Sequence, residues 1–435
     1  MKNLRRRRKA LSFVALAPFA ATLAAFVGTG SATPRRAAAG CPKPDQNNKT
    51  LNLLLIDSPS ADAIETFIPA WEKKTGIKVK VTKYDYNVAH QKQLLSYKQK
   101  AGAYDIAQFD NTYIVPFGSQ NLMIPLDDCV KSPAYDLNDF PKSLRNYGDY
   151  KGHTLGLMLS TEPMIQWYRK DIYQKLGLKP AKTWDEYKAN AIKVNASGRA
   201  KGTMMGFGVN AEWWWWALTW TFGGHLYNSN FKPEANSPAA VKAADYMKSL
   251  IPYSTKGAVS ATGDDATAKF VTEDIGSLIN YSGYYGWIND PKRSKIIGKF
   301  ATARMPIGST DVTHLAGWNI GIPADGKNPG NAWNFLEFVL GKANAHKYLA
   351  TGAAAIGRNS ITGDKALLKR QPYLKLLNLP STSRVERYPQ LRTFPEVDKA
   401  MSDALGNIMS GKSASKPALD DLQKKLVKIL ANEKQ

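Results

Sequence analysis

Four consecutive tryptophans at 213–216 are the side chains of this sequence best suited to binding a ligand. Because an α-helix turns about 100° per residue, four adjacent side chains point around most of its circumference. Indole faces stack on the C–H faces of sugar rings, so at least one of the four is predicted to be a ligand platform. The alternative is that all four pack against neighbouring elements. Helical spacing places Trp216 and Trp220 in the core and leaves Trp215 without a role.

Polar side chains at the ends of predicted strands form a second set of candidates. Asp57 and Ser58 follow the first predicted strand, and Asp110 and Asn111 follow the third. In open α/β sheets, the turns at the carboxyl ends of strands line the ligand crevice. Carboxylate, hydroxyl and amide groups there can bond ligand hydroxyls, although the same residue types also satisfy local turns.

The elements that must position these residues alternate between strands and helices. Periodicity predicts strands at 51–56, 77–81 and 105–109, with helices at 61–74 and 88–101 between them. This order indicates an α/β protein with a parallel or mixed sheet that has helices on both faces. The pattern continues with strands at 154–158, 164–168, 205–209 and 316–322, helices at 184–192 and 238–251, N-caps at Thr183, Asn210 and Ser237, and four helices after residue 330.

The first 40 residues read as an export signal. Basic residues precede an uncharged run at 11–27, and small residues follow it. Pro18 interrupts that run, which disfavours a membrane-spanning helix. Residues 41–50 are polar and are predicted to be a linker or tether.

The two cysteines allow two mutually exclusive outcomes. Residues 38–41 resemble the bacterial lipoprotein box, in which the signal is cut before Cys41 and its thiol is acylated. In an exported chain, Cys41 can instead form a disulfide with Cys129, the other cysteine of the sequence. The sequence leaves both outcomes open.

The charge balance bears on the partners. The formal net charge of +23 falls by eight to +15 without residues 1–40, which hold eight basic and no acidic residues. A basic surface suits an anionic membrane or cell-wall polymer. The basic residues are scattered and the chain is exported, so nucleic acid is not an expected partner. The histidines show no spacing typical of metal ligands, and no metal or other cofactor is expected.

Several segments together resemble a known family. They resemble the extracellular solute-binding proteins of bacterial ABC importers, in the cluster that contains maltose-binding protein. The resemblance covers nearly all of residues 50–430, and the order and spacing of the segments are more specific than any one of them. The segments are 71–79, 104–111, 124–128, 168–171, 182–186, 222–224, 236–238 and 317–323.

The resemblance implies a two-lobed, type II periplasmic-binding-protein-like fold, with several crossovers and a ligand in the cleft between the lobes. The first lobe is expected at 45–160 plus 312–360, and the second at 161–311 plus 361–435. The implied function is that of a monomeric, non-enzymatic component that captures a carbohydrate and delivers it to ABC permease subunits. The aromatic density favours an oligosaccharide. The expected location is extracellular or periplasmic, or at the outer face of the cytoplasmic membrane if Cys41 is acylated.

The resemblance also implies ligand-binding residues. An acid past the first crossing, the start of the tryptophan helix, an aromatic loop and an arginine match positions that contact ligand in relatives. Trp318, in the returning strand, is a further candidate. Trp213 stands where relatives carry proline, so the identity of the stacking indole is open. The residues are Glu162, Glu212, Trp213, Trp214, Tyr281, Tyr284, Trp318 and Arg358.

Two other functions compete with carbohydrate binding. Some related two-lobed proteins bind ferric iron through adjacent tyrosines, and Tyr284 and Tyr285 form such a pair. A glycosidase needs two carboxylates across a cleft, for which Asp110, Glu162 and Glu212 are available. The sequence shows no nucleophile elbow, P-loop or HExxH helix.

Overall fold

The structure is a computed structural model that describes residues 40–228, 230–381, 384–388, 390–431 and 433. The predicted export signal lies outside these residues, apart from Gly40. None of the helices in the described part of the chain combines the length and the apolar character that a membrane span requires.

Thirteen strands and sixteen α-helices alternate along the described residues. The strands are β1 Thr50–Ile56, β2 Lys78–Tyr84, β3 Ile106–Asp110, β4 Asp149–Tyr150, β5 His153–Thr154, β6 Leu157–Met158, β7 Glu162–Arg169, β8 Lys201–Met204, β9 Ile275–Tyr281, β10 Phe300–Arg304, β11 Val312–Ala316, β12 Trp318–Gly321 and β13 Arg384–Glu386. The helices are α1 Pro59–Glu65, α2 Ile68–Thr75, α3 Tyr86–Gln99, α4 Ile114–Ser119, α5 Lys170–Lys175, α6 Trp184–Ala196, α7 Glu212–Thr221, α8 Pro238–Leu250, α9 Gly263–Thr272, α10 Tyr285–Ile288, α11 Pro329–Leu340, α12 Ala345–Ala350, α13 Asn359–Thr362, α14 Lys365–Arg370, α15 Phe394–Met409 and α16 Ser415–Leu430.

The first sheet has the strand order β2-β1-β3-β12-β6. Strand β1 pairs in parallel with both β2 and β3, whereas β12 returns antiparallel to β3. The predicted βαβαβ order is therefore confirmed. Leu54 and Leu55 point to opposite faces of β1 and are both fully buried, as expected for a strand inside a sheet covered on both faces.

The second sheet has the order β13-β11-β7-β9-β8, and β10 also pairs with β7. Each sheet with its helices makes one lobe of an α/β protein. Strand β11 pairs with β7 and β13, so it belongs to the second sheet. This placement differs from the predicted lobe boundary at residue 312, because the chain crosses back to the first sheet only at Gly317. The assignment of the remaining segments to lobes stays a prediction.

Three chain segments run side by side where the chain passes between the sheets. The amide of Leu159 donates to the carbonyl of Trp318 at 2.8 Å, and that of Thr161 donates to Ala355 at 3.0 Å. A Cβ atom on Gly317 would lie 2.4 Å from the Ser160 carbonyl oxygen, so this close approach requires glycine. These hydrogen bonds and this close approach join the crossing segments to one another.

Local sequence signals explain most helix boundaries and two differences from prediction. Thr183 and Ser237 cap α6 and α8 as predicted. The helix predicted at 61–74 is two helices, because Pro69 starts a new one at α2. The residue at the N-cap of α7 is Ala211 rather than the predicted Asn210, which adopts a left-handed φ of 68°.

The two cysteines form a disulfide. Cys41 and Cys129 are bonded, with their Cα atoms 4.8 Å apart, across 88 residues of sequence. A thiol in a disulfide cannot also be acylated, so the structure favours the disulfide over the lipid anchor. The bond ties the segment before β1 to the first lobe.

Candidate ligand-binding site

A cavity of about 490 Å³ lies between the two lobes. Its walls come from the carboxyl ends of β1 and β2 and from β12 in the first lobe, and from α7, α9 and β9 in the second. The lining residues are Ile56, Asp57, Ser58, Pro59, Asp85, Tyr86, Asn87, Glu162, Val209, Asn210, Trp213, Trp214, Thr262, Gly263, Asp264, Asp265, Tyr281, Gly283, Tyr284 and Trp318.

Eight of the predicted ligand-binding residues line this cavity. Three come from the first lobe, and five come from the second lobe or its connection. They are Asp57, Ser58 and Trp318, and Glu162, Trp213, Trp214, Tyr281 and Tyr284. Their contact with a ligand stays a prediction.

Sequence reasoning missed two further groups of lining residues. Asp85, Tyr86 and Asn87 follow β2, and Asp264 and Asp265 stand in the first turn of α9. The rule that selected Asp57 also applies after β2, but the predicted strand ended at residue 81, whereas β2 runs to Tyr84.

The tryptophan helix α7 presents two of its four indoles to the cavity. Trp213 stands edge-to-face against Tyr86 of the first lobe, with ring centroids 5.3 Å apart. Trp214 donates its Nε1 hydrogen to the Ile279 carbonyl at 2.7 Å. A Cβ atom on Gly206 would lie 2.3 Å from the Trp214 ring, so glycine makes room for this indole. Both indoles are more than nine-tenths buried, so they form a fixed wall of the cavity.

The other tryptophans of this helix belong to the core. Trp215 is fully buried and donates to the Ala240 carbonyl at 2.7 Å. Trp216 lies with its ring centroid 4.4 Å from that of Tyr388. The core placement predicted for Trp216 and Trp220 is confirmed, and Trp215 joins them.

Glu162 is the most buried carboxylate of the cavity wall. It is 7% exposed, and its Oε1 accepts a hydrogen bond from Ser160 Oγ at 2.5 Å. Among the described residues, no donor bonds its other oxygen, Oε2. Burial raises the pKa of Glu162 to about 7. The hydrogen bond from Ser160 lowers this pKa, and the charge of Asp110 raises it. Because no cation among the described residues pairs with this carboxylate, a ligand group can supply the partner.

Two predicted residues at the end of β3 do not line the cavity. Asp110 accepts hydrogen bonds from the backbone and side chain of Thr112, at 2.8 and 2.6 Å, and caps the following turn. Burial raises its pKa to about 6. Asn111 accepts from Gln390 Nε2 at 3.0 Å. Local turn chemistry therefore describes the Asp110 side chain, whereas the Asn111 side chain bonds groups that are distant in the sequence.

Arg358 was predicted to reach the cleft, and this prediction does not hold in the structure. Its side chain is fully buried in the first lobe and donates to the carbonyl oxygens of Tyr135 and Leu340, both at 2.8 Å. It also pairs with Asp139 at 3.4 Å and lies over the Phe140 ring at 4.2 Å. Its hydrogen bonds and ring contacts give it a structural role away from the cavity.

Glu212 also lies away from the cavity, in a buried pair with Asp398 of α15. Burial raises the pKa of Glu212 well above its usual range, and the Asp398 carboxylate raises it further. Burial likewise raises the pKa of Asp398 to about 7. Two adjacent carboxyl groups without a cation share a proton more readily than they both ionise.

This pair predicts that stability falls as the pH rises. The unfolded carboxyl groups have pKa values near 4, and the folded values are higher, so the folded state binds more protons between about pH 4 and pH 7. The protonated pair contributes its full stabilisation of the folded state below pH 4, and this contribution is lost as the pH rises through 7. Asp398→Asn should reduce the loss of unfolding free energy between pH 5 and pH 8 by on the order of 2 kcal/mol.

Urea unfolding at the two pH values measures this effect. Asp403→Asn, an exposed change on the same helix, is the matched control and should follow the wild type. An Asp398→Asn protein that loses as much stability as the wild type would show that the pair does not titrate in this range.

The tyrosine pair of the ferric-iron alternative does not converge. Tyr284 lines the cavity and donates to Asp264, whereas Tyr285 stacks on Tyr373 outside it, with centroids 4.3 Å apart. In the described part of the chain, no group of three or more His, Cys, Asp or Glu side chains could hold a metal ion.

The sequence model of the bacterial extracellular solute-binding protein family matches residues 57–346. That match covers more than half of the chain, and the chain belongs to this family. It is a solute-binding protein of an ABC transporter. The family implies an extracellular or periplasmic location.

Particular relatives agree with this assignment. A probable ABC transporter-binding protein of Deinococcus radiodurans is 28% identical over 83% of this chain and 88% of its own. A solute-binding protein of Agrobacterium radiobacter K84, solved with ribitol, has a TM-score of 0.82 at 23% identity, covering 87% of this chain and 98% of its own. Maltose-bound MalE3 of T. maritima has a TM-score of 0.80 at 18% identity, covering 88% and 100%. At these identities the two structures establish the fold.

Proposed function

We propose that this protein captures a short carbohydrate or polyol outside the cell and delivers it to a membrane permease. The observation that carries the proposal is the cavity between the lobes, which combines aromatic rings with carboxylates and hydroxyl groups from both sides. A sugar offers C–H faces and hydroxyl edges, which these two kinds of group complement. The similar proteins with ribitol and with maltose support the same class of ligand.

The cavity dimensions favour a compact ligand. Small-molecule sites occupy roughly 300–1,000 Å³, and the cavity of about 490 Å³ falls in the lower part of this range. The original expectation of an oligosaccharide therefore narrows to one or two sugar rings, or a linear polyol of similar size.

Ligand binding is proposed to favour the closed arrangement of the lobes. Asp57 and Trp318 belong to the first lobe and Trp213 and Tyr284 to the second, so a ligand in the cavity touches both. A ligand shifts a conformational equilibrium only by its different affinity for the two states, and contacts to both lobes provide that difference. The permease would then bind the closed form of a monomeric protein.

Calorimetric titration of the mature protein tests the proposal. The panel contains ribitol, D-glucitol, glucose, maltose and other disaccharides, together with amine-bearing analogues. We expect at least one member to bind and to remain chemically intact. Binding of none would contradict the proposal, and cleavage of a disaccharide would favour the glycosidase alternative.

A further inference from the structure

The charges around the cavity are one-sided. Five carboxylates line it: Asp57, Asp85, Glu162, Asp264 and Asp265. No lysine, arginine or histidine is among the described lining residues. None of these five carboxylates forms an ion pair with another described residue. In the described part of the chain, no cation is therefore paired with their negative charge.

The surrounding composition makes this arrangement unexpected. The whole chain has 59 lysines and arginines against 36 aspartates and glutamates. With this excess of basic over acidic residues, a cleft of average composition would contain lysine or arginine side chains. A cavity without them, in a protein this basic, indicates a site that is adapted to positive charge.

The two lobes bring like charges together across the mouth. Asp57 and Asp85 belong to the first lobe, and Asp264 and Asp265 to the second. Desolvation raises the pKa of Asp264 to about 6. The hydrogen bond from Tyr284 lowers this pKa, and the charges of Asp57, Asp265 and Asp85 raise it. Closing the lobes without a ligand therefore costs electrostatic free energy, which a cation between them offsets.

The aromatic rings add a second attraction for a cation. Trp213, Tyr281, Tyr284 and Trp318 line the same cavity. Glu162 lies near two of them, since a Cβ atom on Gly283, between Tyr281 and Tyr284, would lie 2.2 Å from Glu162 Oε2. Ring faces attract ammonium groups by cation–π interaction. Glu162 Oε2 belongs to a largely buried side chain and accepts no hydrogen bond from a described donor, so it can complete such a site.

We propose that the ligand is positively charged: an amino sugar or amino polyol whose ammonium group pairs with Glu162 among the aromatic rings. The remaining hydroxyl groups bond Asp57 and the aspartates of the mouth. This inference rests on the proposed carbohydrate-binding function and specifies the chemical class of its ligand. It also disfavours anionic ligands, for which the cavity offers no cation.

Matched pairs of probes test the inference by calorimetry at pH 7. One pair is 1-amino-1-deoxy-D-glucitol and D-glucitol, and the other is the β-1,4-linked glucosamine disaccharide and its N-acetylated form. A charge-assisted hydrogen bond at a buried carboxylate contributes enough for the amine of at least one pair to bind about tenfold tighter or more.

The variant Glu162→Gln assigns the effect to one residue. It keeps the size of the side chain and removes its charge, so the affinity ratio within the responding pair should fall below about threefold. Asp245→Asn, an exposed carboxylate on α8 away from the cavity, makes the same change of charge and should keep the wild-type ratio. An unchanged ratio in Glu162→Gln would overturn the role of Glu162.

The outcomes separate this inference from the proposed function. If neutral sugars or polyols bind as tightly as their amines, or more tightly, the inference is wrong and the proposed function stands. If no sugar or polyol of either charge binds, both are wrong.

Discussion

Replacing Trp213 with alanine should weaken binding of the tightest carbohydrate by about 30-fold or more. The indole forms a wall of the cavity and reaches across to Tyr86 of the first lobe. Its loss removes a stacking surface for the ligand and a contact that forms only where the lobes meet. Calorimetric titration measures the affinity, and a thermal melt confirms that the variant is folded.

Two matched variants define what the tryptophan helix does. Trp213→Phe keeps an aromatic face and should recover most of the affinity. Trp215→Ala removes a core indole that donates to Ala240, so it should lower the unfolding free energy by about 3–5 kcal/mol while the folded fraction binds normally. If Trp213→Ala and Trp214→Ala both bind the ligand unchanged, the indoles are not a ligand platform.

Removing the disulfide should destabilise the protein by about 4 kcal/mol. The bond between Cys41 and Cys129 closes a loop across 88 residues. Without the bond the unfolded chain gains conformational entropy, and this gain is larger for a longer loop. The double variant Cys41→Ser and Cys129→Ser should therefore unfold at a lower urea concentration than the oxidised wild type. The matched control is the wild type under reducing conditions, which should show the same loss.

Mass spectrometry of the exported protein tests the covalent state directly. The disulfide predicts an intact mature chain without a lipid and with two hydrogens fewer than its reduced form. An acylated Cys41 at the new amino terminus would contradict the disulfide and restore the lipoprotein alternative.

Local patterns predicted the elements of the fold and part of the site. Asp57 and Ser58 were found because the end of a buried strand is visible in the apolar run before it. The same rule placed Asp110 at the cavity, but the side chain caps its own turn through Thr112. Whether such a residue bonds a ligand or its neighbours depends on a rotamer that sequence does not specify.

Contacts with residues distant in the sequence explain why two other predicted site residues lie away from the cavity. Glu212 follows the expected spacing, yet it is buried against Asp398, which lies far along the chain. Arg358 donates to the carbonyl oxygens of Tyr135 and Leu340. The sequence around Arg358 does not predict these acceptors, because they lie elsewhere in the chain. Strand β13 has only three residues, and its pairing with β11 supplies the order that its own sequence lacks.

The central claim is that ligand binds between the lobes, against Trp213 on one side and Trp318 on the other. A crystal structure of the mature protein with the tightest carbohydrate from the panel tests this claim most directly. We predict density for the ligand in the cavity of about 490 Å³, with a ring or chain face on an indole and a polar group at Glu162. Ligand density at any other place on the protein, with this cavity filled only by water, would contradict the account.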